Sequence, residues 1–117
     1  RPDAGTMQCH LDGSGADLEV PLSAAPVGSK VRVAIRAGDI LLANREPAGL
    51  SARNVLAGTI AALKREGTRI VAEVDAGNRF VVHLTPGAVE SLELAVGRRV
   101  WLVVKTHSCR LLRDKID

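Results

Sequence analysis

The sequence predicts an all-β protein made of two small barrel units in tandem, with one short helix in the second unit. Three observations lead to this prediction: an apolar content rich in branched aliphatic residues, alternating apolar runs separated by turn sequences, and an internal repeat. Hydrophobic residues make up 46% of the 117 positions, yet the chain has one Phe, one Trp and no Tyr. Val and Ile pack well on a pleated surface, so this composition favours sheets.

The internal repeat indicates two copies of one β unit. The segment GSKVRVAIRAGDILL begins at Gly28, and the similar segment GRRVWLVVKTHSCRLL begins at Gly97, which is 97 − 28 = 69 positions later. Upstream, LEVPLS at 18–23 matches FVVHLT at 80–85 with an offset of 80 − 18 = 62. Self-similarity of this kind is typical of a duplicated structural unit.

Each copy contains a predicted β-hairpin, recognised by a strong turn sequence between two alternating apolar runs. The hairpins comprise residues 6–11 and 17–22 around DGSG, and residues 69–74 and 79–84 around DAGN. Both turn sequences contain Gly next to Asp or Asn, the residues that hairpin turns favour.

The segment NVLAGTIAALKR, residues 54–65, has the Ala and Leu content of a helix but is interpreted as a bent strand. Gly58 lies in the middle of the run, and Thr59 and Ile60 are β-branched. The following REG is typical of a closing turn. Because an internal Gly often marks a bend or a close backbone approach, we expect one long, bent strand.

A short helix is predicted in the second copy only. The offset grows from 62 to 69, so this copy has 69 − 62 = 7 additional residues, which fall in PGAVESLEL. Pro86 suits a first helical position after a Thr85 cap, and seven residues make about two helical turns. The second unit then contains a strand, a hairpin, a helix and a strand, as in a small OB-like barrel.

The repeat also predicts the domain organisation. A counterpart of Ser51 in the first copy would lie at 51 − 62 = −11, so the first unit lacks its opening strand. We therefore expect a fragment of a longer chain, or a partner element that completes this unit. The expected divisions are a first OB-like unit at 1–43, incomplete at its N-terminus, a linker at 44–50, a second OB-like module at 51–113 and a tail at 114–117.

Composition argues against several classes of function. The net charge is +3, but the 13 acidic residues are scattered among the 16 basic ones, so general attraction to anions is mild. With so few aromatic side chains, the protein has almost no platform for stacking nucleic acid bases. No run approaches the ~20 apolar residues of a membrane span, and the chain reads as soluble and intracellular.

The sequence also lacks the usual motifs of catalysis and metal binding. It has no GxxxxGK[ST] phosphate loop and no Ser–His–Asp order, and its three His residues have no metal-ligand spacing. Cys9 and Cys109 are far apart with no CxxC pattern, so an unpaired, buried pair is favoured over a disulfide. We expect neither catalytic residues nor a metal-ion site.

Three segments carry a resemblance to a known family: SARNVLAGTI at 51–60, HLTPGAV at 83–89 and LELAVGRRVWLVVKT at 92–106. With them, the second unit resembles the molybdate-binding Mop family of OB-like modules. The order of VRVAIRAGDILLA followed by this module is similar to the C-terminal TOBE/Mop regulatory region of the ATP-binding subunit of bacterial molybdate ABC importers. The resemblance covers residues 5 to 113.

The resemblance implies that molybdate or tungstate is the ligand, with molybdenum present only as the oxyanion, and that it binds where two modules meet. The residues that it points to for ligand binding are Ser51, Ala52, Arg53, Thr85, Lys105 and Thr106. Several relatives have a serine three residues after the threonine that precedes the helix, where this chain has Ala88. That departure removes one hydroxyl donor.

The residue types suit a tetrahedral dianion, which offers four acceptor oxygens and no donor. Hydroxyls, a guanidinium, an ammonium and backbone N–H groups are all donors. Each residue also has a simpler interpretation. Thr85 suits a helix cap, Lys105 has Arg36 as its repeat counterpart and could end strand pairing, and Asn54 is expected to hydrogen-bond a local turn rather than a ligand.

The implied function is an oxyanion-binding regulatory and dimerisation domain of a molybdate import ATPase subunit, without enzymatic activity of its own and without a cofactor. The implied partners are a second copy or more, an upstream ATPase domain and membrane permease subunits, with no nucleic acid and no direct membrane insertion. The location would be cytoplasmic, peripheral to the inner membrane within the transporter complex. The alternative is a structural dimerisation domain without a functional anion site. Molybdate, tungstate and sulfate all remain open as ligands.

Overall fold

The computed structural model describes residues 5–12, 17–23, 25 and 27–112, which form a mostly-β structure. Within these residues there are nine strands, one α-helix and two 3-10 turns, the latter at Ala37–Asp39 and Thr106–Ser108. The strands are β1 Thr6–His10, β2 Asp17–Pro21, β3 Arg32–Ala34, β4 Leu41–Ala43, β5 Asn54–Glu66, β6 Arg69–Asp75, β7 Arg79–Leu84, β8 Arg99–Val104 and β9 Arg110–Leu112, and the helix is α1 Pro86–Ser91. The predicted all-β, OB-like fold class with one short helix in the second unit is confirmed.

A five-stranded antiparallel sheet forms the main body, in the order β4-β8-β5-β6-β7. Two further antiparallel pairs, β1-β2 and β3-β9, lie beside it. Their inward-facing side chains share one core, whose fully buried members are almost all aliphatic: Leu18, Val20, Ile60, Ala72, Val74, Val82, Val100, Leu102 and Val104. The strand hairpin β1-β2 therefore packs on the same core as the main sheet.

Strand β5 connects the two halves of the main sheet. Its first half, Asn54 to Thr59, pairs with β8, and its second half, Thr59 to Glu66, pairs with β6. A register irregularity between Ile60 and Ala62 bends the strand at the change of partner. The prediction of a bent strand rather than a helix is confirmed.

Both hairpins have the predicted strands. In the β6-β7 hairpin, Asp75 Oδ1 accepts a hydrogen bond of 3.0 Å from the Gly77 backbone N–H, which closes the DAGN turn. In β1-β2, the register pairs Met7 with Val20 and Cys9 with Leu18. The DGSG turn at 12–15 lies largely outside the described residues, which stop at Asp12 and resume at Asp17.

Helix α1 begins as its sequence predicts. Thr85 has an extended backbone, its Oγ1 accepts a hydrogen bond of 3.1 Å from the Ala88 N–H, and Pro86 occupies the first turn. The helix ends at Ser91 after six residues. Within the described part of the chain, no helix has both the length and the apolar character needed to cross a membrane.

Strands of one repeat copy pair with strands of the other. Strand β3 of the first copy pairs with β9 of the second, and β4 of the first pairs with β8 of the second. Shifting both members of the pair Leu41↔Val103 by the 69-residue offset yields Arg110↔Ala34, which is also a pair of the structure. The two copies are thus related by a local pseudo-twofold axis, and strands from both sides of the 44–50 linker share one sheet.

The same pseudo-symmetry positions the 3-10 turns. The turn at Ala37–Asp39 packs against β7, and its repeat counterpart at Thr106–Ser108 packs against β2. Each copy therefore places its 3-10 turn on the hairpin of the other copy. The second of these contacts brings the end of β8 next to the first hairpin. The division into the units 1–43 and 51–113 stays a prediction.

Gly58 allows β5 to approach the β6-β7 turn, so we expect Gly58→Ala to be destabilising. A Cβ at this position would lie 2.8 Å from the Asp75 carbonyl oxygen and 3.0 Å from Val74 Cγ1. Relieving such overlap typically costs about 1–3 kcal/mol. Gly87→Ala is the control, because nothing lies within 4 Å of its Cβ and its φ is not positive. Urea unfolding would contradict this account if both variants lost the same free energy of unfolding.

Candidate anion-binding site

A cavity of about 590 Å³ opens where β5 begins and β8 ends, facing the β1-β2 hairpin. It is bounded by two groups of residues, one from the hairpin region and one from the second copy. The lining residues are Gly5, Thr6, Gln8 and Glu19 on the first side, and Ser51, Arg53, Lys105, Thr106 and His107 on the second. Polar and charged side chains predominate in this set.

Strand pairing explains why remote residues meet at this cavity. Asn54 and Val104 are paired at the matching ends of β5 and β8, so the residues just before the first strand and just after the second are neighbours. Arg53 and Lys105 are the adjacent residues, and both side chains are exposed. This cavity is lined by four of the six predicted ligand residues: Ser51, Arg53, Lys105 and Thr106.

The other two predicted residues do not line it. Ala52 is half-buried beside the cavity lining residues. Thr85 follows β7, whose last residue, Leu84, pairs with Ile70, and Ile70 pairs with Arg65 near the far end of β5. Within one copy, Thr85 therefore lies at the opposite end of the sheet and caps α1. A role for these two residues in ligand binding stays a prediction.

Asn54 joins the hairpin to the barrel. Its Oδ1 accepts a hydrogen bond of 2.7 Å from the Glu19 N–H, and its Nδ2 donates one of 2.9 Å to the Glu19 carbonyl. The side chain is 4% exposed, so a buried amide satisfies both backbone groups of one residue in β2. The expectation that Asn54 bonds a local turn is wrong, since its partner is 35 residues away.

The sulfur of Cys109 lies 3.7 Å from Asn54 Nδ2 and completes the surroundings of this amide. Cys109 is buried and Cys9 half-buried, and the two are not bridged. Burial raises the pKa of both thiols. The prediction that the two cysteines form no disulfide is confirmed, although Cys9 is less buried than expected.

Glu19 introduces a negative charge that the sequence did not lead us to expect in this cavity. Thr6 Oγ1 donates a hydrogen bond of 2.8 Å to Glu19 Oε1, and Arg53 Nε lies 3.3 Å from Glu19 Oε2. The Thr6 hydroxyl, and then the guanidinium, hold the pKa of Glu19 below its usual range, which outweighs the opposing effect of partial burial. The carboxylate is therefore ionised at neutral pH.

Thr106 presents a hydroxyl with unused hydrogen-bonding capacity. The residue is 7% exposed, and its Oγ1 is buried with no hydrogen-bond partner among the described residues. Buried hydroxyls are normally paired, and this oxygen has almost no solvent-accessible surface, so a ligand acceptor would reach it only after a local shift of the lining. Lys105, immediately before it, is the N-cap of the 3-10 turn and projects an exposed ammonium.

Sequence reasoning missed the contribution of the first hairpin and of His107 to the lining. The repeat identified the hairpin as the counterpart of β6-β7 but carried no information on which surface it would pack against. That packing depends on the Asn54 amide and on the contact of β2 with the Thr106–Ser108 turn. His107 had no metal-ligand spacing, and only the tertiary contact places it here.

Fold and cavity together define a class: a small OB-like β module with two cationic residues on one side of a cavity at the strand ends. The TOBE domain family matches residues 50–111. The chain belongs to the TOBE domain family.

Relatives of this chain bear out the resemblance seen in the sequence. It is 39% identical over 110 residues to the molybdenum import ATP-binding protein ModC of Mesorhizobium japonicum, a match covering 92% of this chain and 30% of the relative. For the protein of the same name from Rhizobium meliloti the identity is 40% over 91 residues, covering 76% and 26%. The chain thus spans about a third or less of the length of these relatives.

A solved structure shares the fold. The cytoplasmic molybdate-binding protein ModG, crystallised with molybdate bound, superposes with a TM-score of 0.81 over 91% of this chain and 82% of that chain. Sequence identity between the two is 23%, so this similarity concerns the fold.

Replacing Asn54 should loosen the first hairpin. In Asn54→Leu a side chain of similar size leaves the Glu19 N–H and carbonyl without their partner, and each unsatisfied buried group costs about 1–3 kcal/mol. The control is Asn44→Leu, which removes one longer bond of 3.4 Å to the Leu92 carbonyl. Urea unfolding should show the larger loss for Asn54→Leu, and equal losses would argue against this role.

The Thr6–Glu19 hydrogen bond should make part of the stability pH-dependent. A carboxyl whose pKa is lower in the folded than in the unfolded protein stabilises the fold above its unfolded pKa, and this contribution is lost as the pH falls through its folded pKa. We expect Thr6→Val to lower the melting temperature more at about pH 7 than at about pH 3. An equal decrease at both pH values would contradict this assignment.

Proposed function

We propose that this domain is an oxyanion-binding regulatory and dimerisation domain of a molybdate import ATPase subunit, with molybdate or tungstate bound at the cavity. The observation that carries the proposal is that Arg53, Lys105 and Thr106, whose buried hydroxyl has no hydrogen-bond partner among the described residues, line one cavity. The names of the relatives, which refer to molybdenum import and molybdate binding, support this choice of ligand.

The donor set suits such an ion. Molybdate and tungstate are tetrahedral dianions whose oxygens only accept hydrogen bonds at neutral pH, and Arg53, Lys105 and Thr106 can all donate. Charge-assisted hydrogen bonds contribute about 1.5–3 kcal/mol each, so several must converge to offset the desolvation of a dianion. Arg53 and Lys105 lie at adjacent strand ends and can act on one ion.

One copy does not complete the site. The cavity volume of about 590 Å³ far exceeds the space that an ion of five heavy atoms fills, so the ion alone would leave the cavity open. A second module that covers the opening would narrow it and supply further donors. Thr85 and the backbone around Ala52 are the candidates for these donors, and Thr85 is exposed in the single copy.

Binding between copies provides a means of regulation. An ion held by two modules stabilises the assembly state that brings them together, and the shift depends on its differential affinity for that state. In a transporter, an accumulated oxyanion could in this way restrain further uptake. The partners in this proposal are the ATPase domain and the membrane permease subunits, with the domain on the cytoplasmic side of the inner membrane.

A structural dimerisation domain without an anion site is the second candidate. Two observations favour it: the Arg53 charge is already paired with Glu19, and Thr85 lies outside the cavity of its own copy. Titration calorimetry with molybdate separates the two functions. The absence of heat at millimolar molybdate, with a correctly assembled protein, would leave the structural function alone.

Removing either cation should abolish most of the molybdate-induced rise in melting temperature. Arg53→Ala and Lys105→Ala both truncate exposed side chains, so the unliganded melting temperature should change little. The Arg53–Glu19 pair is partly exposed, so its loss should cost little stability. Arg79→Ala, which removes a comparable ion pair with Glu73 away from the cavity, is the control. Thermal shifts equal to that of the wild type would exclude Arg53 and Lys105 from the site.

A further inference from the structure

We propose that Glu19 is a built-in competitor of the oxyanion: its carboxylate pairs with the Arg53 guanidinium, and this ion pair must open when the ion binds. This inference rests on the proposed function, because it assigns a role to a residue of the same cavity. As a consequence, the domain has a lower affinity for the oxyanion than its cationic residues alone would provide. The domain then responds only when the oxyanion is abundant.

The position of the carboxylate is structurally defined. Arg53 Nε lies 3.3 Å from Oε2, and the Thr6 hydroxyl holds Oε1 at 2.8 Å. The backbone N–H and the carbonyl of Glu19 are both hydrogen-bonded to the Asn54 carboxamide. The Glu19 side chain is 17% exposed whereas that of Arg53 is 66% exposed, so the arginine is the more mobile partner. Displacement therefore means that Arg53 turns from Glu19 to the ion.

The charges around the cavity make this competition direct. Within the described part of the chain, Glu19 is the acidic residue in the lining, which it shares with the cations Arg53 and Lys105 and with His107. An ion bound in this cavity would share it with the Glu19 carboxylate. Repulsion between a dianion and this carboxylate adds to the loss of the ion pair.

The fold itself does not require a glutamate here. With the 62-residue offset, the repeat counterpart of Glu19 is Val81 on β7, at 81 − 62 = 19. Val81 is an exposed residue on the equivalent hairpin strand, so the strand position accepts an apolar side chain. The carboxylate is present in the copy whose hairpin faces the cavity, and its contacts are with cavity residues.

Glu19→Gln tests the competition by titration calorimetry with molybdate. Gln keeps the length of the side chain and an oxygen for the Thr6 hydroxyl but removes the negative charge. We expect the dissociation constant to fall roughly tenfold. Glu73→Gln is the matched control, since it neutralises an exposed glutamate paired with Arg79 at 3.4 Å away from the cavity, and it should change the constant less than twofold. Tighter binding is a result that mere structural damage would not produce.

The outcomes distinguish this inference from the proposed function. If wild-type protein binds molybdate and Glu19→Gln binds with an unchanged or higher dissociation constant, the inference is overturned and the proposed function stands. If neither binds, both fail. If only Glu19→Gln binds, the competition is confirmed and the wild-type site is shown to be held closed by Glu19.

A second variant covers the case in which Glu19→Gln does not fold. Glu19→Asp keeps the charge but is one methylene shorter, so it withdraws the carboxylate from Arg53 Nε. Direct competition predicts a dissociation constant between those expected for wild type and for the charge-neutral variant. A constant equal to or above that of wild type, in a protein with an unchanged melting temperature, would overturn the inference.

Discussion

The hydrogen bonds between the Asn54 carboxamide and the backbone of Glu19 are the interaction on which the site depends. One buried side chain acts as an additional strand residue, pairing both polar groups of a residue 35 positions away. These bonds attach the first hairpin to the start of β5, and they do so one residue after Arg53. Without them, nothing in the strand pairing would bring Thr6 and Glu19 to the mouth of the barrel. Together with the contact of β2 and the Thr106–Ser108 turn, they determine both the shape and the charge of the cavity.

Strand pairing between the two repeated segments holds the elements that make this interaction in place. Because β3 pairs with β9 and β4 with β8, each copy completes a sheet of the other, and each 3-10 turn packs on the other hairpin. The pseudo-symmetry stops at the cavity. Lys105 and Thr106 correspond to Arg36 and Ala37, so the lining side chains differ between the copies. A candidate site at the point where the side chains of a duplicated fold become asymmetric is consistent with function residing in side chains added to a common scaffold.

Electrostatic balance distinguishes this cavity from a simple cationic pocket. Two exposed cations attract an anion, a buried hydroxyl lacks a partner among the described residues, and an ionised carboxylate already holds one of the cations. Under the proposed function, such a combination favours reversible binding over tight capture. The anion-binding and the structural interpretations therefore involve the same residues. They differ in whether the Arg53–Glu19 ion pair opens.

The sequence by itself determined the strands, the hairpins, the bent β5 and the capped helix, because these depend on local periodicity, turn residues and capping. Through the resemblance to a family, it also pointed to Arg53 and Lys105 as candidate ligand residues. Only the tertiary structure decided that β3 and β4 pair across the copies, that Asn54 reaches Glu19, and that Thr85 lies at the far end of the sheet. Those features depend on which surfaces pack together over long separations, and residue spacing carries no information about such packing.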